Sequence, residues 1–123
     1  IKFFENANLE KLKKDLNRVD LKKTLFLIDI EGDEFKLLTK SFCNYFSNSF
    51  FIIELHEFNI RNKVILKKFN QNIKKKFNLT VIKDEIKNPN NFEILKNLTD
   101  DERYLSMSEG RPMIMSWLLL TPK

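Results

Sequence analysis

The sequence predicts one α/β domain with a mostly parallel sheet, helices on both faces and an antiparallel last strand. Two apolar runs, at 25–30 and 50–55, each lead into acidic residues, and amphipathic segments alternate with them along the chain. Such alternation of helices and strands is typical of a parallel sheet with right-handed crossovers. The length of 123 residues suits a single domain with one packed core.

The first half of the chain carries two helix patterns on either side of a strand pattern. Asn8 can cap a first helix, whose leucines follow helical spacing. The strand at 25–30 is apolar on both faces except at Asp29, which is the pattern of a central strand covered on both sides. After Gly32, apolar residues recur every three or four positions and predict a helix that ends near residue 48.

The second half repeats this order and ends in a strand. The run at 50–55 predicts a second strand, and 61–77 predicts an amphipathic helix because its apolar residues recur at every fourth position among lysines. The remaining predicted elements are a third strand at 79–82, a short helix at 92–98, an acidic turn at 100–102 and a last strand at 113–120. No full crossover helix precedes the last strand, so we expect it to be antiparallel to its neighbours.

Charge and cysteine content narrow the range of functions. The net charge of +5 comes from dispersed lysines, which indicate solvated helix faces, so we do not expect a nucleic-acid partner. The single cysteine, Cys43, leaves no internal disulfide and no cysteine-based zinc cluster, and it indicates a reducing, cytoplasmic location. The longest apolar run, at 117–120, is far shorter than the ~20 residues of a membrane span.

Four polar residues come at the carboxyl ends of the first two predicted strands: Asp29, Glu31, Glu54 and His56. If these strands are parallel neighbours, they lie about 4.8 Å apart, and open α/β sheets bind their ligands at this end. Side chains alternate along a strand, so Asp29 and Glu31 share one direction, as do Glu54 and His56. Such residues can bind a divalent cation or act as a general base toward a hydroxyl or an amine.

The acids around Gly32 also have a purely structural interpretation. Asp33 and Glu34 fit the start of a helix, where the helix dipole favours negative charge, and we favour this interpretation for Glu34. Asp29 differs, because an aspartate within an apolar strand is costly unless it is paired or used. We therefore expect Asp29 and Glu31 to face a crevice, with Gly32 as the hinge between the two pairs of acids.

Two stretches of the chain resemble the FkbM-type family of S-adenosylmethionine-dependent methyltransferases. They read Leu-Ile-Asp-Ile-Glu-Gly-Asp-Glu-Phe at 27–35 and Phe-Ile-Ile-Glu-Leu-His at 51–56. In that family, the fourth strand of a Rossmann-like fold typically reads as an apolar run, Asp, an aliphatic residue, Glu-Gly, a small residue and Glu. The fifth strand often ends in Glu near a polar or His position. The resemblance covers about 9–58 in detail and the rest by element order.

The resemblance implies methyl transfer to a hydroxyl or amine of a small-molecule, sugar or lipid-linked acceptor. It implies four catalytic residues, which are Asp29, Glu31, Glu54 and His56. Asp29 and Gly32 would contact the cofactor, S-adenosylmethionine. Glu109 and Arg111 would contact the substrate from the last loop.

The resemblance is to one half of such an enzyme. The family cradles its cofactor with a glycine-rich turn after the first strand, whereas this chain has only Gly32 and Gly110 and no predicted strand before residue 25. The resemblance thus implies a partial domain, the C-terminal half of the catalytic domain, with an exposed sheet edge. We expect the main cofactor site in a missing N-terminal half or a partner chain, and we expect the chain alone to be inactive.

Two other classes of function remain open. A metal-dependent nuclease could use Asp29 with Glu54 and His56, although such enzymes usually place a lysine at the last of these positions. The basic helix at 61–77 would suit a phosphate backbone. Alternatively, the chain is a non-catalytic remnant or interaction domain in which the acids are structural.

Overall fold

The computed structural model describes residues 1–2, 8–57, 62–83, 87–108, 110 and 115–123. The strands in these parts of the chain are β1 (Leu25–Ile28), β2 (Phe50–Leu55), β3 (Phe77–Lys83) and β4 (Ser116–Pro122). They form one four-stranded sheet with the order β1-β2-β4-β3. With its helices, the chain has the predicted α/β class.

The last strand determines the character of the sheet. β1 is parallel to β2, whereas β4 lies between β2 and β3 and is antiparallel to both. The predicted antiparallel last strand is therefore confirmed. The prediction of a mostly parallel sheet is wrong for the hydrogen-bonded pairs, of which one is parallel, although β1, β2 and β3 share a direction. A strand that returns in this way can pair without a crossover helix.

The described residues contain five α-helices, which are α1 (Leu9–Asp15), α2 (Glu34–Leu37), α3 (Lys40–Tyr45), α4 (Lys63–Lys74) and α5 (Asp100–Met107). The single helix predicted after Gly32 is divided into α2 and α3. Leu38 leaves the helical conformation, and the Thr39 hydroxyl accepts a hydrogen bond from the backbone N–H of Phe42. Threonine begins a new helix here because its side chain replaces a backbone acceptor.

The other predicted helices differ mainly at their ends. The Asn8 side chain caps α1 as predicted, by accepting the backbone N–H of Lys11. The helix predicted at 61–77 is α4, which is shorter because Phe77 begins β3. In place of the short helix predicted at 92–98, the chain forms a 3-10 turn at Glu93–Leu95.

The acidic segment at 100–102 is the first turn of α5, not an isolated turn. Thr99 and Glu102 form a reciprocal capping box, in which each side chain accepts a hydrogen bond from the other residue's backbone N–H. The hydrogen bond from the Thr99 backbone lowers the pKa of Glu102. A capping threonine followed by three acids indicates the start of this helix, because acids stabilise the first turn of a helix.

One face of the sheet carries the hydrophobic core. At its centre, Phe51 of β2 is fully buried and stacks on Phe26 of β1, with the ring centroids 4.9 Å apart. Helices α1 to α4 contribute side chains to the same cluster. Its most deeply buried members include Leu38, Phe42, Phe46, Phe51, Ile53, Ile73, Phe77 and Leu120.

The opposite face is open at β1. Leu25 and Leu27 are 58% and 69% exposed, so the described helices leave this side of the strand uncovered. The prediction of a first strand covered on both sides is therefore wrong. In the sheet they form, β1 occupies one end of the order and pairs with β2 alone.

Cys43 of α3 belongs to the core. Its side chain is almost completely buried, and burial raises the pKa of its thiol to about 11. The thiol is therefore protonated near neutral pH and has a packing role. Among the described residues, no helix is both long enough and apolar enough to cross a membrane.

Adjacent phenylalanines of β2 provide a direct test of this arrangement. Phe51 is fully buried, whereas Phe50 is 39% exposed on the opposite face. We expect Phe51→Ala to lower the free energy of unfolding by about 3–5 kcal/mol, because it removes a large side chain from the centre of the core. Phe50→Ala should cost about 1 kcal/mol. Urea unfolding of both variants measures the difference, and equal losses would contradict the assigned faces.

Candidate functional site

The predicted polar cluster lies where β1 and β2 end side by side. Ile28 and Ile53 are the last paired residues of the two strands. Asp29 follows β1 directly, while Glu54 lies in β2 and His56 comes just after it. The strand predicted at 25–30 is thus shorter than expected, and Asp29 leaves it at its carboxyl end. This parallel pairing brings the predicted residues together.

Three of these side chains are close enough to share one ligand. Asp29, Glu54 and His56 each offer an atom within 4.8 Å of the others, and Nε2 of His56 lies 3.8 Å from Oδ1 of Asp29. Glu54 and His56 are buried, whereas the Asp29 side chain is about half exposed. The cluster therefore has a buried floor and an open rim.

Glu31 reaches the cluster from a strained turn. Its φ angle is +53° and that of Gly32 is +103°, so two successive residues adopt left-handed conformations shortly after β1. A non-glycine residue pays roughly 1–2 kcal/mol for such a conformation. The turn carries the exposed Glu31 side chain back toward β2, where its Oε2 lies 3.4 Å from Nε2 of His56.

Glu34 starts a helix, as predicted, and it is also an internal member of the site. It is the first residue of α2, yet its side chain is completely buried. One carboxylate oxygen accepts the backbone N–H of Gly32 at 2.9 Å. The other accepts the backbone N–H of His56 at 2.8 Å and lies 3.3 Å from Nδ1 of the same residue.

The sequence contained a signal for the burial of Glu34. Leu37 and Leu38 follow it by three and four residues, and both are buried. Residues at these spacings lie on the same face of a helix, so the apolar face of the predicted helix includes Glu34. Asp33 lies off this face; it is exposed, pairs with Lys36, and makes no capping hydrogen bond through its side chain.

The remaining predicted site residues contribute less. Gly32 supplies the left-handed turn and donates its N–H to Glu34; its contact with a cofactor stays a prediction. Glu109 and Arg111 lie outside the described residues. Four carboxylates gather around His56, those of Asp29, Glu31, Glu34 and Glu54.

The arrangement supports two kinds of chemistry. Carboxylate oxygens and one imidazole nitrogen suit a divalent cation such as Mg²⁺, Mn²⁺ or Zn²⁺. The same groups can accept a proton from a substrate hydroxyl or amine at the open rim. Both uses need Asp29 and His56, which face each other across the end of the parallel pair.

Loss of the Glu34 carboxylate should destabilise the protein strongly. Glu34→Ala removes the acceptor of the buried backbone N–H of His56 and of the partly buried N–H of Gly32, so we expect a loss of about 2–4 kcal/mol in the free energy of unfolding. The matched control is Asp33→Ala, which removes a neighbouring but exposed carboxylate and should cost under about 1 kcal/mol. Urea unfolding measures both, and similar losses would contradict the assigned role of Glu34.

Comparison of the chain with protein-family models, curated proteins and solved structures finds no match to any of them. A function for the chain must therefore be inferred from the motif in its sequence and from the cluster that its fold assembles. The cluster is built by the two stretches that carry the motif, at 27–35 and 51–56.

Proposed function

We propose that the chain forms the acceptor-facing part of an S-adenosylmethionine-dependent methyltransferase of the FkbM type. One observation carries the proposal. The acidic stretch at 29–34 and the Glu-Leu-His stretch at 54–56 meet in a single cluster at the carboxyl ends of β1 and β2. These two stretches carry the resemblance to the family, and ligands of open α/β sheets bind at this end.

The sheet gives this proposal further support. β1 and β2 are parallel neighbours, and the final strand β4 is antiparallel to the strands on either side of it. A partial Rossmann-like sheet that closes with an antiparallel hairpin has this relation between its strands. In the proposed enzyme, the rest of the sheet would continue beyond β1.

The residues of this chain would act on the methyl acceptor. When bound, S-adenosylmethionine supplies an electrophilic methyl group, and the attacking hydroxyl or amine must lose a proton. Asp29 stands at the rim of the cluster with the buried His56 beside it, and either would take this proton. Glu31, which is more exposed, would hold the acceptor in line for attack by accepting a hydrogen bond.

The described residues fit the acceptor but not the cofactor itself. They include no glycine-rich turn that could cradle it, since the chain has only Gly32 and Gly110. We therefore propose that the main cofactor site lies in an N-terminal half or a partner chain beyond these 123 residues. The single buried thiol of Cys43 is compatible with the cytoplasmic location that we propose.

The test is methyl transfer by the product of the whole reading frame that contains this chain. We expect labelled methyl groups to pass from S-adenosylmethionine to a low-molecular-weight acceptor in a metabolite extract. Asp29→Asn should lower the rate by about 100-fold or more, because it removes a proton acceptor. The control Asp33→Asn alters an exposed carboxylate and should stay within about twofold of the natural protein. Absence of transfer, or equal rates in the two variants, would contradict the proposal.

Calorimetry tests where the cofactor binds. We expect no measurable binding of S-adenosylmethionine to the isolated 123-residue chain. Micromolar affinity for that chain would contradict the proposed location of the cofactor site, while leaving methyl transfer itself open to the previous test.

A metal-dependent nuclease is the second candidate, and a specific observation favours it. The atoms offered by Asp29, Glu54 and His56 lie within 4.8 Å of one another, a spacing that suits a shared cation. Helix α4 adds exposed lysines, which attract a phosphate backbone. The weakness of this candidate is that His56 replaces the usual lysine.

Cleavage of plasmid DNA in Mg²⁺ or Mn²⁺ distinguishes this candidate. A nuclease should lose cleavage in EDTA and lose about 100-fold or more in Glu54→Gln, with circular dichroism showing that the variant is folded. Absence of cation-dependent cleavage by the natural chain would reject it. If Asp29→Asn and Glu54→Gln both left every activity of the complete protein intact, the non-catalytic interpretation would replace both enzymes.

A further inference from the structure

We propose that Glu34 is a positioning residue that holds His56 as the tautomer with hydrogen on Nδ1, so that Nε2 is the ring atom presented to the methyl acceptor. This inference deepens the proposed function and rests on it for the identity of the acceptor. The tautomer of His56 is a property of the chain alone and does not depend on the acceptor. The inference begins with Glu34, a completely buried carboxylate that the resemblance did not include among its catalytic residues.

One carboxylate oxygen of Glu34 contacts His56 twice. Oε1 of Glu34 accepts the backbone N–H of His56 at 2.8 Å and lies 3.3 Å from Nδ1 of its ring. The backbone contact fixes the position of the His56 main chain, and the ring contact fixes the orientation of its side chain. Both contacts come from the same buried atom, so the ring has little freedom to rotate away.

The donors and acceptors around Glu34 determine which ring nitrogen carries the hydrogen. A carboxylate accepts hydrogen bonds and donates none, and both oxygens of Glu34 already face backbone donors, from Gly32 and His56. A hydrogen bond between Glu34 and the ring therefore requires the hydrogen on Nδ1. In the neutral ring, Nε2 then carries the lone pair that can accept a proton or bind a cation.

Other carboxylates compete with Glu34 for the ring. Glu31 and Asp29 lie 3.4 Å and 3.8 Å from Nε2 and would favour a hydrogen there instead. They are 83% and 49% exposed, so water screens them, whereas Glu34 is fully buried and lies 3.3 Å from Nδ1. A hydrogen bond is electrostatically stronger in a low local dielectric than in water, and this favours the hydrogen on Nδ1. Glu54 is buried as well and offers an oxygen within 4.8 Å of a ring nitrogen of His56, so it is the competitor against which the tautomer must be measured.

The arrangement also links the ring to the turn that carries Glu31. The second oxygen of Glu34 accepts the N–H of Gly32, so a single side chain connects the left-handed turn after β1 with the end of β2. A buried hydrogen-bond acceptor that serves two backbone segments fixes their separation. Glu34 therefore sets both the tautomer of His56 and the distance between His56 and Glu31.

Nitrogen-15 NMR measures the tautomer without any cofactor. The chain contains one histidine, so labelled histidine gives a single pair of ring nitrogen signals. At about pH 9 the ring of an ordinary histidine is neutral. We expect the signals of the natural chain to show hydrogen on Nδ1, although free histidine prefers hydrogen on Nε2.

Variants then test the role of Glu34. The amide of Glu34→Gln has one acceptor and can donate to Nδ1, so we expect the ratio of the Nδ1–H to the Nε2–H form to fall about fivefold or more. The control Asp33→Asn should keep the natural ratio, because its side chain makes no contact with the ring.

Two results would overturn the inference: hydrogen on Nε2 in the natural chain, or an unchanged ratio in folded Glu34→Gln. If Glu34→Gln does not fold, the signals of the natural chain alone still decide. Failure of methyl transfer with hydrogen found on Nδ1 would reject the proposed function while leaving this inference intact.

Discussion

The parallel pairing of β1 with β2 determines where every charged group of the cluster lies. Phe26 stacks on Phe51 within the core, and this contact sets the register in which Ile28 meets Ile53. A slip by one residue would turn Phe51 out of the core and replace it with a neighbour from the opposite face. Because the register is fixed in this way, Asp29 emerges beside Glu54 and His56.

The site places charged groups where apolar ones would be easier to accommodate. Glu34, Glu54 and His56 are all buried, and a buried carboxylate is costly unless its oxygens are hydrogen-bonded. Glu34 meets this condition by accepting two backbone N–H groups, which join α2, the turn after β1 and the end of β2. The carboxylate thus acts as an internal connector, and the apolar residues that follow it, Phe35, Leu37 and Leu38, are buried as well.

Local patterns in the sequence predicted most of the elements and the assembly of the cluster. The alternating apolar runs identified β2 at its observed bounds and β1 to within two residues, and the strand ends were sufficient to bring Asp29 and His56 together. What they could not reveal depended on contacts distant in sequence. One of these is the position of β4 between β2 and β3, because it depends on which strands pair with each other. The burial of Glu34 depends on its bond with His56, which lies 22 residues away.

The left-handed conformation of Glu31 lowers the stability of the fold at a residue that the proposed chemistry uses. Glycine would adopt the φ angle of +53° without strain, so the residue with the least backbone strain in this turn is one that has no carboxylate. A search for stabilising substitutions would therefore tend to select against the acid that faces His56. Backbone strain of this kind persists where the surrounding structure enforces it. At Glu31, a substitution that raises the stability of the fold is therefore expected to lower the proposed activity.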